Sequence, residues 1–81
     1  MQRGTIVKSK LGRDKDFLMV VLSIDGKRVI VADGKKRPLE RPKSKNVIHL
    51  AFTKTVLQEE SLLTNKQIKK ALREYKLTEV I

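Results

Sequence analysis

Residues 17–40 read FLMVVLSIDGKRVIVADGKKRPLE, three runs separated by two Asp-Gly pairs. The first run, Phe17 to Ile24, is rich in aliphatic and β-branched side chains and lacks the polar spacing of a helix, so it reads as a strand. Asp-Gly supplies the positive φ angles that a two-residue type I′ turn needs. Asp25-Gly26 and Asp33-Gly34 therefore predict a three-stranded antiparallel meander over residues 17–40. Counting outward from the first pair sets Ile24 opposite Lys27, Leu22 opposite Val29 and Val20 opposite Val31. The last run, with Pro38, Pro42 and many cations, is predicted to be an edge strand, because proline cannot donate to a ladder and lysines discourage edge-to-edge pairing.

Upstream, TIVKSK at 5–10 has the composition of another short strand, and downstream NVIHLAF at 46–52 has that of a fifth. Five short strands with so small a core are expected to curl into a barrel. The segment TNKQIKKALREYKL differs: Ile68, Ala71, Leu72 and Tyr75 fall at helical spacing, and Thr64 with Gln67 forms a capping box. The expected architecture is thus mainly β, a small five-stranded barrel over residues 1–54. Residues 55–81 supply a linker and an amphipathic helix over about 65–76 that packs on the barrel within the same domain. The stretch TKTVLQEESLL at 53–63 is ambiguous.

Charge carries the strongest compositional signal: 19 Lys and Arg against 9 Asp and Glu in 81 residues, a net of +10. Residues 1–54 hold 14 basic and 5 acidic side chains, whereas residues 55–81 hold 5 and 4. Such an excess points to a polyanionic partner.

Several function classes lack the residues they need. A domain of this length buries only about 60% of its unfolded surface, leaving little room for a catalytic cleft. There are no cysteines for a disulfide or a thiolate zinc site. His49 is the one histidine and is flanked by apolar residues in an expected strand, so it is assigned a structural role. Asp14 and Asp16 sit among Lys and Arg, which would repel a cation. GKKRPLE at 34–40 lacks the Ser or Thr of a phosphate-binding loop. No catalytic residue, metal or cofactor is expected. The start MQRGTIVK has no apolar signal stretch and FLMVVL is too short to span a bilayer, so the expectation is a cytoplasmic protein without a membrane partner, monomeric when free.

Two basic clusters stand out. The turn KSKLGRDKDF at 8–17 gathers Lys8, Lys10, Arg13 and Lys15 around Gly12, whose lack of a side chain allows close approach to a ligand. The second cluster, within KKRPLERPKSK, comprises Lys35, Lys36, Arg37, Arg41, Lys43 and Lys45, opposed only by Glu40.

GTIVKSKLGRD followed by an apolar strand resembles a KOW motif, with Gly12 as its characteristic glycine. From Gly4 through VIVADGKKRPLERPKSKNVIHL the chain is similar to the large-subunit ribosomal proteins of the fourteen-e type and to small bacterial KOW-containing RNA-binding proteins. The resemblance covers residues 4–50 and implies an SH3-like β-barrel that binds RNA, commonly ribosomal RNA, with the turn as a contact at Lys10, Gly12, Arg13 and Lys15. Where related motifs read Gly-Arg-Asp-x-Gly, this chain has Asp16 in place of the second glycine.

Lys and Arg fix register on phosphates without reading bases, and base reading usually needs exposed aromatic platforms. Phe17, Phe52 and Tyr75 are the only aromatics and are expected in the core. The expected function is recognition of structured RNA, ribosomal or ribosome-associated, through its backbone. The alternative is a protein-interaction module that docks a ribosomal or transcription partner through the C-terminal helix, with exposed residues such as Lys69 and Arg73.

Overall fold

The computed structural model describes residues 1–12 and 15–79. Strands β1 (Thr5–Ser9), β2 (Leu18–Asp25), β3 (Arg28–Ala32), β4 (Lys43–Asn46) and β5 (Leu50–Val56) form one antiparallel sheet in the order β4-β3-β2-β1-β5. Short 3₁₀ turns at Val47–His49 and Glu59–Leu62 flank β5, and helix α1 spans Asn65–Glu79. The protein is therefore mainly β, with five strands and one C-terminal helix. The sheet curls without closing, since β4 and β5 are its two edges.

Alternation along the strands explains why FLMVVL is apolar at nearly every position: both faces of the sheet are covered. Val7, Met19, Val21, Val29, Val31 and Leu50 pack together inside the curl. Ile6 and Val20 point to the outer face, where they meet Leu62 and the helix residues Ile68 and Leu72. The helical stripe read from the sequence is thus spent on packing, with Tyr75 at its margin. Thr64 starts the helix as expected: its Oγ accepts the Gln67 N–H at 3.1 Å.

The loop of the first hairpin lies one residue later than expected, so Ile24 meets Val29 rather than Lys27. Asp25 pairs with Arg28 and Ile24 with Val29, so the loop is Gly26-Lys27 with Gly26 at φ +61°. Glycine at the first loop position suits a type II′ turn. Leu22 is then bulged out of the ladder, because Ser23 pairs with Ile30 while Val21 pairs with Val31. Val20 consequently lies opposite Ala32, not Val31. Moving the partner of Ile24 by two residues leaves the faces unchanged, and it is the bulge that turns Met19 and Val21, rather than Val20 and Leu22, onto the face of Val29 and Val31.

The second Asp-Gly pair makes no hairpin, and KKRPLE is a loop; the edge strand comes later, at Lys43–Asn46. Asp33 organises that loop, its Oδ1 accepting the backbone N–H groups of Lys35 and Arg37, both at 2.8 Å. Such local bonds compete with a ladder. The loop lies on the start of α1: Leu39 N–H donates to Asn65 Oδ1 at 2.8 Å, and Asn65 Nδ2 donates to the Glu40 carboxylate at 3.0 Å. At Gly34 a Cβ would stand 2.5 Å from the Asn65 carbonyl oxygen. Glycine is needed there for close approach to the helix.

NVIHLAF is likewise not one strand. Asn46 ends β4, Val47–His49 turns, and β5 begins at Leu50 and runs on through TKTV. Asn46 Oδ1 accepts the Ile48 N–H at 3.1 Å, capping the turn that carries the chain from one sheet edge to the other. Among the described residues no helix is long and apolar enough to cross a membrane.

Candidate nucleic-acid interface

The β1–β2 turn is closed at its base by two backbone bonds, Asp16 N–H to Ser9 O at 2.8 Å and Ser9 N–H to Phe17 O at 3.2 Å. Gly12 has φ +81°, and the Lys15 N–H donates to its carbonyl oxygen at 3.2 Å. Asp16 adopts φ +69°, a conformation that glycine takes without strain and that aspartate tolerates better than most residues. Lys10 and Lys15 are exposed. Arg13 lies outside the described residues, as does Asp14.

Beside this turn is an open hollow of about 370 Å³ built from three separate segments. β1, the turn and the start of β2 contribute Lys8, Asp16, Phe17 and Leu18. The loop after β3 contributes Asp33, Lys35 and Lys36, and the second half of α1 contributes Leu72, Arg73 and Lys76. Lys8 reaches it because it pairs with Leu18 across the ladder, and directly opposed residues share a face. Five cations thus surround a wall of Phe17, Leu18 and Leu72. The Lys36 ammonium sits over the Phe17 ring, 4.5 Å from its centroid, within cation–π range.

The predicted second cluster does not stay together. Lys35 and Lys36 join Lys8 at the hollow. Arg37 is half-buried in the loop, where its backbone carbonyl accepts the Asp33 N–H at 3.0 Å. Arg41 is exposed, in a turn where its N–H donates to Pro38 O at 2.9 Å. Lys43 and Lys45 pair with Val31 and Val29, which places them on the inner side of the sheet. From there the Lys45 ammonium donates to Ser9 Oγ at 3.3 Å, reaching from the β4 edge to the end of β1.

Two expectations about the aromatics are corrected. Phe17 is 37% exposed and Phe52 60% exposed, so neither is a core residue; only Tyr75 packs as expected. Phe17 stands at the mouth of the turn, and Phe52 lies on edge strand β5 opposite Val7. His49 ends a 3₁₀ turn rather than lying in a strand, and its carbonyl oxygen accepts the Lys10 N–H at 2.8 Å.

Charge summed along the sequence hides Arg73 and Lys76 as anion contacts, because residues 55–81 are nearly neutral in sum. Helical spacing carries the missing signal: Arg73 and Lys76 flank Leu72 on one side of the apolar stripe. Glu74 falls on the other, with Ala71, Tyr75 and Thr78. Lys76 also lies in the last turn, where the helix dipole favours a cation.

Two glutamates are held by side-chain partners. Glu59 and Arg3 form an ion pair at 2.7 Å, and the Arg3 guanidinium also donates to Leu22 O at 2.8 Å. Hydrogen bonding to Arg3 holds the Glu59 carboxyl below the usual carboxylate range and raises Arg3 in turn. Its own backbone N–H, then the Asn65 amide, hold Glu40 low. Among the described residues no group of three or more His, Cys, Asp or Glu side chains could hold a metal ion. No protein-family model matches the chain, and no curated protein is significantly similar to it.

Proposed function

We propose that this protein binds structured RNA by its backbone, with ribosomal RNA the class suggested by the KOW-like sequence. The carrying observation is the convergence of Lys8, Lys35, Lys36, Arg73 and Lys76, from three segments distant in sequence, around one open hollow. Clustered cations of this kind contact phosphate oxygens and release counterions on binding. The Asp33 loop bonds and the Asn65 contacts hold the cation-bearing loop against α1, so part of the surface is ordered before RNA arrives. Docking of a protein through the helix is the weaker reading, since Ile68 and Leu72 are already buried against the sheet.

The test is a salt titration of affinity for a folded RNA hairpin. Neutralising four to six phosphates gives a log K against log salt slope of about −3 to −5. A slope near zero contradicts the reading.

A further inference from the structure

The hollow contains more than a phosphate site needs. A cradle for phosphate alone gains nothing from an aromatic ring and two leucines, and it is weakened by carboxylates, yet Phe17, Leu18, Leu72, Asp16 and Asp33 all line this one. Those side chains match a nucleobase. The ring offers a stacking surface, the leucines cover apolar area, and a carboxylate accepts hydrogen bonds from base N–H groups. At about 370 Å³ the space lies at the low end of the roughly 300–1,000 Å³ typical of small-molecule sites, far too small to admit a duplex.

We propose that the hollow takes a single unpaired nucleotide of the bound RNA, its base against Phe17 and its flanking phosphates against the surrounding cations. This rests on the RNA-binding reading and narrows it. The base of a paired A-form helix is hidden in a deep, narrow groove, whereas a bulged nucleotide can be splayed out and stacked on an aromatic side chain. The Lys36 ammonium occupies a position over the ring in the RNA-free protein. A stacked base takes over that position, and Lys36 turns to a phosphate. The protein is then a reader of irregular RNA with a local preference for unpaired nucleotides, rather than of backbone alone.

The experiment compares two RNA hairpins, one fully paired and one carrying a single bulged adenosine, at one salt concentration. The wild-type protein is expected to bind the bulged hairpin roughly 10-fold more tightly, a factor typical of one aromatic stack. Phe17→Leu is expected to remove that preference, so that the two hairpins bind equally, and Phe17→Tyr to keep it. Equal wild-type affinity for both hairpins overturns the proposal and leaves phosphate binding standing; so does a preference that survives Phe17→Leu. Because the wild-type ratio is decisive alone, an unfolded variant does not rescue the proposal. Binding to neither hairpin overturns the RNA reading itself. Adenosine monophosphate is the competitor in a third arm: displacement of the bulged hairpin at micromolar concentration would make this a free-nucleotide site and overturn the assignment to RNA, whereas resistance supports it.

Discussion

The Lys36 ammonium lies 4.5 Å from the centre of the Phe17 ring, joining two loops that are far apart in the chain. One is the turn between β1 and β2, and the other follows β3. The contact ties together the first and second basic segments, and the hollow forms between them and α1. It also explains how an aromatic side chain remains 37% exposed beside a strand: an ammonium over one face of the ring satisfies its quadrupole where core packing would otherwise be needed.

A double-mutant cycle on Phe17→Leu and Lys36→Met should therefore show a coupling of about 0.5–1 kcal/mol in folding stability, the range for partly solvated cation–π pairs. Urea melts of the four proteins measure it. Additive effects would mean that the contact contributes nothing.

The glycines separate by surroundings. Gly12 and Gly34 both have positive φ, yet a Cβ on Gly12 meets nothing within 4 Å, while one on Gly34 runs into the Asn65 carbonyl. Gly12→Ala should cost about 1–2 kcal/mol, the left-handed strain alone. Gly34→Ala should cost more, because the loop must also lift from α1. Thermal melts check the order, and equal losses would contradict the packing of this loop on the helix.

How far the sequence reveals this arrangement depends on which interactions decide each element. Helix α1 is legible because spacing and cap are local: Thr64, Ile68 and Leu72 all do what their positions suggest. The hairpin at Gly26 is legible as a hairpin but not in register: its loop is Gly26-Lys27 rather than Asp25-Gly26, and beyond it the bulge at Leu22 answers to packing on both faces of the sheet. Asp33-Gly34 misleads for a tertiary reason: the pair has hairpin chemistry, but Asn65, far along the chain, captures the segment that follows. At the site, Lys35 and Lys36 are found by charge density. Arg73 and Lys76 are hidden by summing charge over a segment whose opposite signs lie on different helix sides.

The Arg3–Glu59 pair has a pH signature. The folded Glu59 carboxyl is held below its ordinary value, so the protonated form is disfavoured by folding. The resulting stabilisation is present above the unfolded glutamate value of about 4.3 and is lost as pH falls through the lower folded value. The gap in Tm between wild type and Glu59→Gln should be small and constant near neutrality, and should close in acid once pH falls below the lowered folded value. Both side chains are largely exposed, so salt should shrink it. A gap that widens in acid would reverse the sign and contradict the assignment.

On the proposed RNA binding, the placement of cations at the hollow, and not net charge alone, sets affinity. The most direct measurement compares two charge-matched double variants on one folded RNA hairpin across a salt series. Lys35→Gln with Arg73→Gln removes two cations from the hollow; Lys27→Gln with Lys54→Gln removes two exposed cations that do not line it. The hollow pair should lose at least about 10-fold in affinity and reduce the salt slope by roughly 2 in magnitude, while the control pair stays close to wild type. Equal losses from the two pairs, or none from the hollow pair, would contradict the account.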